Sequence, residues 1–178
     1  MATVANNSYQ ASEHQINIGK TTLPAKWTWN ADNTSHAAGE ALSAIEAISG
    51  AARIDGFSTR AVRVRIAFTT TSGTPVPKEC RLSFFSKSGI PATTPVVSTA
   101  QAFINTDAPY LLGSVDVATA DWLVLGQVAS VEKTVAIDCI NEDTTIGTII
   151  YTYLLNTVTT WTPPASSKFE VTVWFEMN

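Results

Sequence analysis

Residues 168–178 read KFEVTVWFEMN. Phe169, Val171, Val173 and Phe175 alternate with Glu170, Thr172, Trp174 and Glu176, the period of a strand that buries one face. Just upstream, residues 147–157 read GTIIYTYLLNT, a run of β-branched and aromatic side chains of the kind strands prefer. Between the two lies TPPASS, whose prolines end one strand and turn the chain. Two strands joined this way predict an all-β chain.

The pattern repeats outward from there. AVRVRIAF at 61–68 sets Val62, Val64, Ile66 and Phe68 against Arg63 and Arg65. Cys80, Leu82 and Phe84 oppose Arg81, Ser83 and Phe85 in 80–86, and Val135, Ile137 and Cys139 share a face in 134–140. Weaker strand signals lie at 12–18, 24–30, 96–104 and 122–129. The connections SGTPVPKE, SKSGIPATTP, NTDAPY and INEDTTIG carry the Gly, Pro, Asn and Asp that chain reversal needs. One helix is predicted at about 37–49, where Leu42, Ile45 and Ile48 form a stripe and Gly50 can cap the end. The expected fold is a single eight-stranded jelly-roll β-sandwich with one or two short helices. Residues 1–25, polar and rich in Asn, Ser and Thr, are expected to form an N-terminal arm, leaving 26–178 as the sandwich domain.

Composition narrows the function. The 178 residues are 45% hydrophobic, which excludes disorder, yet only 15% are charged, against roughly 25% in an ordinary domain. Thr and Ser fill the gap. A net charge of −4 argues against a strongly basic nucleic-acid binder. No apolar run reaches the roughly 18 residues of a spanning helix, so no membrane is expected. The start, MATVANNSYQASEHQINIG, does not read as a signal peptide, so an intracellular origin is expected and the sequons at Asn6 and Asn33 carry little weight. Cys80 and Cys139 belong to no metal-ligand cluster and read as buried free thiols; a disulfide between them stays open.

Catalytic constellations are thin. His14 and His36 sit in no HExxH motif and read as polar surface or capping residues; no GxSxG elbow or Gly-rich phosphate loop is present. Glu170 and Glu176 share a strand face but lie roughly 20 Å apart at strand rise, too far for paired acid–base work. Asp138, Glu142 and Asp143 are closer and read as a solvated turn or a weak Ca²⁺ site at a subunit interface. No enzyme is expected.

Two binding features remain. Arg53, Arg60, Arg63 and Arg65 fall within thirteen residues, and Arg81 is the only other arginine. Their planar donor forks suit phosphate, or alternatively they pair with the surplus carboxylates. Trp27 and Trp29 alternate in a short stretch, with Trp122, Trp161 and Trp174 elsewhere; exposed, they could stack on sugar rings, and otherwise they are core or interface.

The order of these elements resembles the coat proteins of small icosahedral positive-strand RNA viruses, a single jelly roll of the bromovirus and tymovirus kind. The resemblance spans about 37–178. ALSAIEAISG leads through ARIDGFSTR into AVRVRIAFTTT, then a proline-bearing turn and ECRLSFFSK, and it ends in the 147–178 hairpin. It implies a non-enzymatic protein, made in the host cytoplasm of a plant and found in the virion, that self-assembles into an icosahedral shell with genomic RNA on its inner face. Arg53, Arg60, Arg63 and Arg65 would then supply most inward positive charge, helped by Lys20 and Lys26. The chain departs from many such coats in lacking a basic arm, since residues 1–25 carry only Lys20. Carboxylates crowded around Asp138, Glu142 and Asp143 would make particles loosen as pH rises. The alternative is a lectin-like or carbohydrate-binding β-sandwich, which needs at least two aromatics exposed on one face.

Overall fold

The computed structural model describes residues 21–31, 33–48, 51, 58–71, 73–86, 108–140, 150–158 and 160–177. Eleven strands are present among them: β1 (Thr21–Asn30), β2 (His36–Ala37), β3 (Glu46–Ile48), β4 (Ser58–Thr69), β5 (Cys80–Phe85), β6 (Leu111–Val117), β7 (Leu123–Leu125), β8 (Val128–Ile140), β9 (Ile150–Asn156), β10 (Thr160–Trp161) and β11 (Lys168–Met177). One sheet runs β1-β11-β4-β8-β7 and the other β3-β9-β5-β6, with every strand pair antiparallel.

Setting aside the short β2, β7 and β10, the eight main strands fall in chain order as first, last, third and sixth in one sheet. The other sheet holds the second, seventh, fourth and fifth. That interleaving of two Greek keys is the jelly roll. The expected fold is therefore the observed one.

Alternation builds the core. Val64, Ile66 and Phe68 of β4 and Phe169, Val171, Val173 and Phe175 of β11 project inward against Leu82, Phe84, Val115, Val117, Ile150 and Leu154 of the facing sheet. Each such side chain contributes about 1.5–3 kcal/mol on burial. The four-stranded sheet also buries part of its other face, where Phe85, Tyr151, Tyr153 and Leu155 pack with Ala41. Consequently all seven residues of β9 are buried.

The helix expected at 37–49 is absent. The segment holds β2, a turn at Gly39 with φ +83°, a bridge from Ala41 to Leu155, and β3. Its stripe has a second solution. Residues three apart point to opposite sides of an extended chain, so Leu42 and Ile48 enter the main core while Ile45 packs on the outer cluster. Ser43 Oγ accepts from Leu154 N–H at 2.9 Å and Leu42 N–H donates to Leu154 O at 2.8 Å, which ties the strip to β9. The helical content among the described residues is two 3₁₀ turns, Ala108–Tyr110 and Thr119–Asp121, and none is long and apolar enough to cross a membrane.

Three further differences concern boundaries. Residues 21–25, expected in the arm, form the first half of β1 and pair with Val173–Met177 of β11. The 122–129 segment is not one strand: Gly126, at φ +62°, reverses the chain between β7 and β8. β6 was not among the expected strands, and it contains Gly113. The glycine is there for close approach, since a Cβ at 113 would meet Ile137 Cγ2 at 3.0 Å. The strand signals at 12–18 and 96–104 lie outside the described residues.

Candidate functional site

The outer face of the five-stranded sheet carries the arginines. Strand register arranges it in rows: Glu176–Arg60–Asp138, then Trp174–Arg63–Thr134, then Lys26–Thr172–Arg65–Glu132, then Thr28–Glu170–Ala67–Ser130. Arg63 and Arg65 share one exposed face, as their alternation predicts, and Arg60 joins them on it. The intervening irregularity, where register shifts between Ala61 and Arg63, keeps Arg60 on the same side.

Carboxylates from neighbouring strands meet these cations. Arg60 Nε donates to Asp138 Oδ1 at 2.6 Å, Arg63 Nη1 lies 3.5 Å from Glu132 Oε1, and Lys26 Nζ lies 2.8 Å from Glu170 Oε2. The Arg63 guanidinium also lies over the Trp174 ring, 3.9 Å from its centroid. Among the described residues, no ion pair engages Arg65. Five cations (Lys26, Arg60, Arg63, Arg65, Lys168) therefore face four anions (Glu132, Asp138, Glu170, Glu176), and the surface is close to neutral. The alternative of pairing with surplus carboxylates accounts for Arg60 and Arg63. Thr172, between Lys26 and Arg65 in register, is only 7% exposed, consistent with the aliphatic stems of its neighbours lying over it.

Arg53 and Lys20 lie outside the described residues, as do Glu142 and Asp143 of the acidic trio. Asp138 is described, and within the single chain it faces Arg60. The hydrogen bond from Arg60 holds its carboxyl below the usual carboxylate range. Among the described residues, no group of three His, Cys, Asp or Glu side chains could hold a metal.

The tryptophans turn inward. Trp29 stacks on Phe169 at 5.1 Å and donates Nε1–H to Leu42 O at 2.8 Å. Trp161 meets Phe68 and Phe169 edge-on, each at 5.5 Å, and Trp122 is buried with Nε1–H donating to Lys78 O at 3.1 Å. Trp27 packs against the core from the sheet edge. Only Trp174 points outward, under Arg63. His36, expected at the surface, is buried opposite Trp161, its carbonyl accepting from Asn156 Nδ2 at 2.8 Å. His14 is outside the described residues. Cys80 and Cys139 are buried free thiols, as expected; burial raises both, Cys139 to about 12, and removes them from nucleophilic chemistry.

Two features escape sequence reasoning. Arg81 is clamped by Asp116 through Nε–Oδ1 at 2.5 Å and Nη2–Oδ2 at 3.0 Å, beside an open cleft of about 310 Å³ bordered by Glu79 and Thr157. And the far corner of the five-stranded sheet is apolar and exposed, at Leu123, Leu125 and Val128. The alternating LVL of β7 was visible, but its place at an edge was not.

No protein-family model and no curated protein matches the sequence. Solved structures to which this chain shows similarity include the native virion of Kashmir bee virus at neutral pH, 12% identical, covering 88% of this chain and 71% of that one, with a TM-score of 0.39. A second is sacbrood virus of honeybee, 9% identical over 90% of this chain and 72% of that one, TM-score 0.41. A third is a Bacillus endospore appendage from a family of disulfide-linked pili, 13% identical over 89% of each chain, TM-score 0.26. The fold assignment rests on the strand order itself.

Proposed function

We propose that this chain is the coat protein of a small icosahedral RNA virus, a non-enzymatic subunit that closes into a shell by homotypic contacts and faces the genome with its arginine-bearing sheet. The observation that carries this reading is the disposition of the tryptophans. Jelly rolls serve both shells and lectins. A sugar-stacking module needs at least two aromatics exposed side by side, whereas Trp122 and Trp161 lie in the core, Trp27 and Trp29 pack against it and Trp174 stands alone under a guanidinium. A chain in which only 15% of residues are charged suits repeated self-association, because few ions must be desolvated and few like charges meet.

Phosphate contact on the sheet face must compete with Asp138 and Glu132, so each subunit contributes few contacts. The salt slope of RNA binding is then shallow per subunit, about 0.7 per neutralised phosphate on a single strand. Electron microscopy of the purified chain tests the reading: closed shells of uniform size are expected. A monomer that binds glycans and forms no shells would overturn it.

A further inference from the structure

We propose that β7 is a homotypic two-fold contact, at which Leu123–Leu125 of two copies pair edge to edge and extend the five-stranded sheet across both. This deepens the shell reading and rests on it for the identity of the partner, a second copy of this chain.

The edge is open: β7 pairs with β8 on one side and, among the described residues, with no strand on the other. Open edges in natural proteins are usually blunted by charge, proline or a bulge. This one carries none of these. Leu123 is 59% exposed, Leu125 65%, and Val124 and Val128 38% each. Leu123 is in register with Ser130 and Leu125 with Val128, which places both leucines on the outer sheet face and Val124 on the other.

The occupant follows from symmetry. Leu-Val-Leu is palindromic about Val124. An antiparallel pair centred there sets Leu123 opposite Leu125 of the second copy, and Leu125 opposite its Leu123. The four leucines close into one cluster on one face, the self-complementarity an isologous contact requires. Charge permits the approach. In the same register Asp121 falls opposite Gln127 rather than another carboxylate, and Asp121 is already matched within its own copy by Lys133 Nζ at 2.6 Å. The hairpin is also anchored from behind, by Trp122 Nε1–H to Lys78 O and by Gln127 Nε2–H to Thr71 O at 3.2 Å. The edge is therefore presented rather than frayed.

The test is a cysteine at the axis. Two residues 124 facing each other across an antiparallel pair have Cα atoms about 4.5 or 5.5 Å apart, inside the range of a disulfide. The native thiols, Cys80 and Cys139, are buried and do not compete. The full chain carrying Val124→Cys, without reductant, is expected to run at twice the monomer mass and to revert on reduction. Val76→Cys, 63% exposed but outside the strand, is expected to stay monomeric on the same gel. Leu123→Lys/Leu125→Lys, with an unchanged circular dichroism spectrum, is expected to lose self-association in sedimentation. No more dimer from Val124→Cys than from Val76→Cys, or normal assembly by the double lysine variant, overturns the contact. The two readings separate: shells without the cross-link sink the edge and keep the coat protein, whereas cross-linked dimers that never form shells keep the edge and sink the coat protein.

Discussion

Arg63 holds two partners at once, with its guanidinium 3.9 Å from the Trp174 ring centroid and one nitrogen 3.5 Å from Glu132. The three residues come from β4, β11 and β8, so the contact staples the middle of the five-stranded sheet on its outer side. An exposed arginine–indole contact contributes about 0.5–1 kcal/mol, and the long ion pair adds little. Arg63 is therefore occupied. Arg65, two residues along the same face, carries no ion pair among the described residues.

That difference gives a direct prediction for nucleic acid. Arg65→Ala is expected to weaken single-stranded RNA binding and to lower the salt slope by about 0.7 for each lost phosphate contact. Its unfolding midpoint should barely move. Arg60→Ala, which frees Asp138, should change the slope less. Fluorescence anisotropy over a salt series reads both, and an unaltered slope for Arg65→Ala would remove it from the interface.

The pH response runs opposite at two carboxylates. Asp138 is held low by Arg60, so its stabilising contribution is present above the ordinary aspartate value and is lost as pH falls through the lowered one. Glu46, on β3 beside a cleft of about 280 Å³ lined by Ala25 and Trp27, is raised by burial. Between its ordinary and raised values the folded state binds the extra proton, so stability falls as pH rises through that window. Glu46→Gln is expected to flatten this decline and to raise the urea midpoint at neutral pH. A midpoint that is lower at neutral pH in Glu46→Gln would contradict the assignment.

Asn156 is the polar hub behind β9. Its Nδ2 donates to His36 O at 2.8 Å, Ala37 O at 3.0 Å and Val158 O at 2.9 Å, while its own backbone N–H donates to Glu40 O at 2.9 Å. Asn156→Ala strands buried carbonyls and is expected to cost about 2 kcal/mol or more. Asn156→Asp keeps the size but loses the donors, and should cost at least as much. Chemical denaturation checks both; a near-neutral Asn156→Asp would show that the donors matter little.

A neighbouring hydroxyl predicts the reverse sign. Thr152 Oγ1 is buried and has no hydrogen-bond partner among the described residues. Thr152→Val removes that desolvated group at nearly constant volume, so a gain of about 1 kcal/mol is expected in the same denaturation assay. A loss of stability would mean the hydroxyl is satisfied.

Gly113→Ala tests the close approach of β6 and β8. The added Cβ meets Ile137 Cγ2, and overpacking of this kind costs about 1–3 kcal/mol. Ile137→Ala, which removes the Cγ1 and Cγ2 that the added Cβ meets, should recover part of the loss, giving a coupling above about 0.5 kcal/mol in a double-mutant cycle. Additive effects would mean that the sheets yield freely there.

The legible parts of the fold share a physical cause. In β4 and β11 one face meets the core and the other meets water, so each residue type reports its side. That signal fails when both sides are buried. Leu42, Ile45 and Ile48 serve two clusters on opposite sides of an extended strip, and a spacing of three then imitates a helix. It also fails where backbone geometry outweighs side-chain pattern, as at Gly113 in β6 and at the Gly126 reversal. The shared face of Arg63 and Arg65 was readable because alternation within one strand sets it, whereas Arg60 reaches that face through the irregularity between Ala61 and Arg63. The neutralisation of the face was not readable, since Arg60–Asp138 and Arg63–Glu132 depend on register between strands far apart in the chain.

β11 lies between β1 and β4, yet it is the last of the three to be made. While a ribosome adds the stretch from Thr70 to Ser167, the slot between those two strands has no occupant. At roughly 5–20 residues per second that wait lasts on the order of 5–20 s. Throughout it two hydrogen-bonding rims and the apolar side of β4 stand open, the condition under which nascent chains recruit holding factors or clump on crowded polysomes. Premature association of subunits is thus most hazardous before residues 168–177 emerge, and insertion of that single strand is the step that makes a chain safe to accumulate at high concentration.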